Sequence, residues 1–416
     1  MNLSREENKF DKGAFAGLFV ATAVSMLGFS IIEPIMPLYA KSMGASGIIL
    51  GLIFSGFAIS RGIFAPIMGQ YSDNHGRKNM LLAGLLLYVI LSIGYVYATT
   101  PFVLGLVRTV QGFASVMVTP IAQSYIGDIT PKGKEGQYMN LFFISMFAGT
   151  ALGPTLGGYL SDAYNLEAPF YAMAALGFLS LLLVFWLVPK VTETHHEITS
   201  RPQISFFKSL KKVFSDSSMM GLMSYMGSRG FYRWGFNTFF PILATSYIEM
   251  SKTGVGLMLS SYMLAGAVLQ YPSGILADKR IQYRNEIILV FGLLSTLPMF
   301  IIPVLSNEYL IGVLVMLMGA FSAVSRASAV AIRTDRGRIH GQGAVTGAFT
   351  TSMSAGQVVG PIAFGAVVDV LNIPSSFYLG GIIGLLGSVV GYFFLKKDSH
   401  RGHKEGTEIT ESNYKM

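Results

Sequence analysis

Five arginines, Arg61, Arg108, Arg229, Arg233 and Arg326, and one clear acid, Glu33, stand inside stretches that are otherwise almost wholly apolar. An arginine near the middle of a membrane helix costs about 2.5–3.5 kcal/mol on insertion scales, so it must face protein or water and is expected to have a role. Arg326 lies near a basic loop and can snorkel toward it. The other four, set against one glutamate, favour charge-assisted bonds to an anionic or carboxylate-bearing ligand. Neutralisation of some of them by backbone carbonyls is the competing reading. Arg229 and Arg233 are four apart and share a helix face. Glu33 is followed by Pro34 and Pro37. Carboxylates withdrawn from water can exchange protons near neutral pH, which makes Glu33 a candidate proton carrier. Its plainer reading is an interfacial glutamate near the outer surface.

Other chemistries are excluded or unsupported. With no cysteine there is no disulfide, thiolate metal site or thiol nucleophile. No P-loop is present, and no His/Asp/Glu cluster has metal-ligand spacing, so neither a metal nor an enzyme activity is expected. Gly341-Gln-Gly343 reads as a helix start, and His400 and His403 read as tail residues. The 30 Phe and 22 Met would suit varied apolar solutes through adaptable contacts. That composition is also ordinary for membrane helices and decides nothing.

The elements that carry these residues are membrane spans. Only 12% of the chain is charged, against roughly 25% in soluble domains, so too little polar surface exists to cover a water-exposed fold. Apolar stretches run at 14–40, 47–71, 79–99, 101–127, 137–161, 168–188, 217–246, 253–276, 286–305, 308–332, 343–371 and 375–395. Each is long enough, or nearly so, to cross a hydrocarbon core about 30 Å thick. If the gaps alternate from an inner N-terminus, twenty-three Lys and Arg fall inside, and only Lys41 and Lys252 fall outside. That bias places both termini in the cytoplasm. It also accounts for the net charge of +8 without a nucleic-acid partner. The first apolar stretch is too long for a signal-peptide core and is expected to be a retained span.

The chain repeats itself. Gly28, Phe29 and Pro34 match Gly235, Phe236 and Pro241 at an offset of 207, as do Gly112, Ser115 and Asp128 with Gly319, Ser322 and Asp335. Ser145, Gly149, Gly153, Pro154 and Asp162 match Ser352, Gly356, Gly360, Pro361 and Asp369 in the same way. Gly51, Gly69 and Asp73 match Gly256, Gly274 and Asp278 at an offset of 205. Six spans are therefore repeated in parallel. The expected fold is an all-α membrane protein with 12 transmembrane helices in two six-helix bundles, 1–188 and 217–397. A linker at 189–216 and a polar, structureless tail at 398–416 complete the chain. In the linker, Ile204, Phe206, Phe207, Leu210 and Phe214 alternate with Lys208, Lys211 and Lys212 in a pattern that suits a surface helix or a solvated connection. Arg61 has Gly266 as its repeat partner, so the shared fold does not demand it.

Three motifs carry a family resemblance. Gly69-Gln-Tyr-Ser-Asp73-Asn-His-Gly76-Arg77-Lys78 resembles the loop signature G-x-x-x-D-x-x-G-[RK]-[RK] of the major facilitator superfamily, and stands between the second and third spans as it does there. Arg108-Thr-Val-Gln111-Gly112 resembles the family's R-x-x-Q-G element. Gly149-Thr-Ala-Leu-Gly153-Pro154-Thr-Leu-Gly157-Gly158 is similar to the G-x-x-x-G-P-x-x-G-G signature of the 12-helix drug:proton antiporter branch. The resemblance covers residues 14–397. It implies a cytoplasmic latch built as an Asp73–Arg77–Asp128 network, a coupling or cavity role for Arg108, and a fifth span that contributes to the outer contact between halves. The second-half copy of the loop continues Asp278-Lys279-Arg280-Ile281 without the glycine, and reads as degraded. Many antiporters of the family have an acid nine positions before the first proline. Here that position is Ser25, which makes Glu33 the replacement candidate.

The resemblance implies a secondary transporter in the cytoplasmic (inner) membrane. The expectation is proton-coupled, multidrug-like efflux of small organic molecules by alternating access. The expected partners are a small-molecule substrate, protons and the lipid bilayer, with no cofactor and a monomeric state. Two alternatives stay open: an uptake symporter or uniporter for a small organic anion, and a non-transporting membrane receptor or assembly factor on the same scaffold.

Overall fold

A computed structural model describes residues 12–131, 133–189 and 215–413. The side chains of 12, 73, 74, 135 and 398–413 lie outside that description, as does the amphipathic segment read at 204–214. Among the described residues all regular structure is helical. The first span is α1 (Lys12–Ile31) with the short α2 (Met36–Ser42). It is followed by α3 (Gly47–His75), α4 (Arg77–Val96), α5 (Pro101–Ile129), α6 (Glu135–Ala163) and α7 (Ala168–Leu187). The second set begins with α8 (Ser217–Tyr247) and α9 (Lys252–Lys279), then α10 (Arg284–Thr296) continued by α11 (Pro298–Ile301). It ends with α12 (Glu308–His340), α13 (Gln342–Val370) and α14 (Ile373–Asn413). Eleven of the described segments are long and apolar enough to cross a membrane. The remaining span, α8, is 31 residues long, and Arg229, Arg233 and Asn237 lower its hydropathy.

Local chemistry explains where helices start and break. The Ser46, Thr100 and Asn307 side chains accept from Ile49, Val103 and Leu310 N–H groups, capping α3, α5 and α12. Pro101 follows the Thr100 cap, where its missing N–H costs nothing. The first span breaks at Pro34 and Pro37, and the ninth at Pro298, because proline cannot supply the helical donor. α14 does not stop near Lys397, where the structureless tail was expected, but runs on through Asn413. No proline interrupts that stretch, and extending an existing helix avoids the cost of nucleating one.

The described residues form two compact units. One takes those within Met1–His196 and Asn237–Met263, the other those within Glu197–Phe236 and Leu264–Met416. In the first, α1 packs on α6 and α7, α3 on α5, and α4 on α5 and α7. Leu18, Leu81, Leu85, Ile121, Tyr125 and Phe142 are central to its core. In the second, α10 packs on α12 and α14, and α13 packs on the same two helices. Met219, Leu222, Ile288, Val345 and Phe349 lie in its core.

Candidate functional site

The loop motif is held at the junction of α3 and α4. Gly76 separates the two helices at φ +86° and ψ 125°, a conformation open to glycine and costly for residues with a Cβ. α4 therefore starts at Arg77, whose Nη1 lies 2.8 Å from Asp128 Oδ2 at the end of α5. Lys78 Nζ donates to the Phe185 carbonyl at 2.8 Å, and so caps the last turn of α7. Gly69 lies on α3 with no atom near a would-be Cβ. Asp73 lies on α3, with its side chain outside the described set.

The second set of helices carries a counterpart that the motif reading missed. Arg284 opens α10 as Arg77 opens α4. Its Nη1 lies 2.6 Å from Asp335 Oδ2, its Nε donates to the Ala277 carbonyl at 2.8 Å, and Asp278 Oδ1 is 3.5 Å from Nη2. Arg284 and Asp335 stand 207 residues after Arg77 and Asp128. The second copy is therefore not a degraded remnant. Its aspartate and arginine are two residues further apart, with a 3-10 turn, Ile281–Tyr283, between the helices. A one-residue glycine hinge is replaced by a longer connection, and the ion pair is kept. The repeat offset was the signal that could have found it.

At the opposite end, the glycines of α6 lie against backbone. A Cβ on Gly149 would strike the Ala23 carbonyl, on Gly153 the Ser30 hydroxyl, and on Gly157 the Ile31 carbonyl, all on α1. The same relation recurs in the other unit, where Gly356 and Gly360 of α13 meet the Gly227 and Phe231 carbonyls of α8. The C-terminal end of α6 also meets the start of α9. A Cβ on Gly158 would strike the Lys252 carbonyl, and one on Gly256 the Pro154 carbonyl. Thr155 Oγ1 donates to Ser260 Oγ at 2.8 Å. Asp162 Oδ2 accepts from both the N–H and the hydroxyl of Thr253 at 2.7 Å, and Oδ1 from the N–H and Nζ of Lys252 at 3.3 Å. A carboxylate thus caps the positive N-terminus of α9. Both lysines read as lying in the sparse outer loops are engaged here, because Lys41 Nζ donates to Ser246 Oγ at 3.0 Å. Asp162 stood out in the sequence only as a repeat match.

The intramembrane arginines fall in different environments. Arg108 is 2% exposed. Its guanidinium carbon lies 4.7, 5.4 and 5.6 Å from the ring centres of Phe57, Phe54 and Phe29, a cation–π cage. Arg108 Nη1 and Tyr95 Oη both donate to Gln111 Oε1 at 2.6 Å. Gln111 Nε2 points at Met173 Sδ, 3.7 Å away, and Tyr39 Oη donates to the Tyr95 carbonyl at 3.3 Å. In the second unit, Arg229 is buried and donates through Nε and Nη2 to Ser322 Oγ at 2.9 and 2.7 Å. Arg233, one turn on, is half-buried. Arg326 donates to Gln270 Oε1 at 2.9 Å. Arg61 is exposed at the middle of α3, and among the described residues its side chain has no hydrogen bond or ion pair. Glu33 sits half-buried in the turn between α1 and α2.

Long apolar helices, internally repeated, with an ion pair at a helix junction in each unit and a few buried charges within the helices, are the architecture of a multi-pass membrane transporter. The chain belongs to the major facilitator superfamily: the model of the Major Facilitator Superfamily matches residues 18–231 and 222–412. An uncharacterized MFS-type transporter of Methanocaldococcus jannaschii is 27% identical over 396 residues, 94% of this chain and all of that protein. The quinolone resistance protein NorA of Staphylococcus aureus is 27% identical over 371 residues, 88% of this chain and 92% of NorA. Among solved structures, the nucleoside transporter NupG superposes with a TM-score of 0.78 at 12% identity, covering 92% of this chain and 99% of that one. A bacterial homolog to the human lysosomal transporter Spinster superposes at 0.77 and 12% identity, covering 93% and 97%.

Proposed function

We propose that the protein exports small organic molecules in exchange for protons, as a monomer in the cytoplasmic membrane with both termini inside. The two repeated sets of helices would expose the solute site to each side in turn. The observation that carries this reading is the Gly149–Gly158 segment of α6, close-packed on α1 and on the start of α9. It is the element that resembles the drug:proton antiporter branch, and the similarity to NorA points the same way. Arg77–Asp128 and Arg284–Asp335, each at a junction of helices in its own unit, suit latches that part during the cycle. Arg108, held by Gln111, supplies a fixed positive charge at mid-depth, and Arg229 and Arg233 supply two more. Glu33 is the proposed proton-exchanging group, since it is the acid that the sequence places within a span.

The test is transport in proteoliposomes of known orientation. An imposed pH gradient should drive an exported solute against its own gradient, and solute movement should in turn drive protons. Solute flux indifferent to an imposed pH gradient would refute proton coupling. Absence of flux for cationic, neutral and anionic compounds alike would refute the transport reading.

A further inference from the structure

The exported solute carries an acidic group, and Arg61 receives it: we infer this from the position of Arg61 on α3, and the inference rests on the transporter reading above. An α-helix turns about 100° per residue. Leu52 and Ile63, 53% and 56% exposed, mark the most exposed stripe of α3, with Ile59 and Ile67 beside it. Arg61 lies nine residues after Leu52 and two before Ile63, which puts it about 180° from that stripe. It shares the opposite face with Leu50, Phe54, Phe57 and Ala58, all buried. On that protein-facing side Arg61 is nevertheless exposed. A guanidinium at mid-depth cannot be left facing hydrocarbon. Arg61 is instead exposed on the face that its own helix otherwise buries.

Three further facts point to a ligand as its counterpart. Among the described residues Arg61 has no hydrogen bond or ion pair, whereas Arg108, Arg229 and Arg326 each donate to named side chains. The repeat places Gly266 at the equivalent position in the second set, so the fold does not need an arginine there. Phe57, one turn before Arg61, already lies against a second guanidinium, that of Arg108. The positive field around Arg61 is therefore reinforced, and among the described residues no carboxylate pairs with either arginine. Arg108 is sealed in its cage and acts as background charge. Arg61 keeps its fork free, and a carboxylate fits that fork with two parallel bonds. Phe64, three residues after Arg61 and only half-buried, suits an apolar body behind the acid group.

The experiment uses the purified full chain in detergent and in proteoliposomes, with matched carboxylate and carboxamide forms of a medium-chain fatty acid, naphthoic acid and a quinolone. Wild type should be thermally stabilised by, and should move, at least one carboxylate in preference to its amide. Arg61→Gln should weaken that carboxylate about tenfold or more. It should leave the amide unchanged, and its melting temperature without ligand should match wild type. Arg61→Lys should recover part of the preference, as a charge without the planar fork. Transport of amides or cations with no preference for acids, or an Arg61→Gln variant that handles every carboxylate as wild type does, overturns the inference and leaves the transport reading standing. A protein that binds and moves none of the six compounds counts against both.

Discussion

A charge inside a membrane protein is tolerated only when something answers it, and the arginines here are answered in three ways. Arg77 and Arg284 each pair with an aspartate at a helix end. Arg108 is held by an amide oxygen and three phenyl rings. Arg61 is left for a ligand. The carboxylates paired with Arg284, Asp335 and Asp278, are 52% and 79% exposed, and Asp128 is 23% exposed, so the two arginines differ in their own burial and not in that of their pairs. The Arg77 side chain is 22% exposed and that of Arg284 9%. A partly exposed pair contributes about 1 kcal/mol or less. Removing Arg284 also takes the side-chain donor from the buried Ala277 carbonyl, at about 1–3 kcal/mol. Arg284→Met should therefore lower the apparent melting temperature more than Arg77→Met. Thermal unfolding of the two purified variants in one detergent checks the order. At the same scale, Glu33→Gln keeps the shape of the side chain and removes its titration. The variant should insert and bind solute normally, with a transport rate that no longer varies with pH. A pH profile superimposable on that of wild type removes Glu33 from the coupling step.

Helices meet in this chain where glycine lets backbones touch. The Gly157 position abuts the Ile31 carbonyl, whereas Gly62 on α3 has no atom near a would-be Cβ. Gly157→Val should sharply reduce the yield of monodisperse protein, and Gly62→Ala should be silent; size-exclusion profiles of the two variants decide. The cap on α9 is a second device of this scale. Asp162→Ala leaves the Lys252 and Thr253 N–H groups without their acceptor, and should cost about 0.5–2 kcal/mol, as loss of an N-cap does elsewhere. Asp162→Asn, which keeps the oxygen acceptor, should cost less. An equal loss for both variants would show that the charge, and not the acceptor, is what matters there.

At the scale of the whole molecule the proposed cycle depends on hinges that open, and on topology. Asp73→Asn should impair transport more than folding, which flux and melting measured on the same preparation would separate. Tags at residues 195 and 405 should be accessible from the same, cytoplasmic, side of the membrane, as the distribution of Lys and Arg requires. Labelling of the two tags from opposite sides would break the alternation on which the reading of the loops depends.

The number of spans, the parallel repeat and the family motifs were legible in the chain alone. Hydropathy is a property summed over about 20 residues, and needs no knowledge of what each helix touches. The pairing of Arg77 with Asp128 was legible too, but only through the resemblance. Arg284 escaped because motif spacing is a local measure, and two extra residues hid a pair that the tertiary structure restores. The cage of Phe29, Phe54 and Phe57 around Arg108, the capping of α9 by Asp162 and the side of α3 that Arg61 faces all depend on how helices are rotated against one another. Close packing of small residues sets that rotation, and no one-dimensional pattern records it.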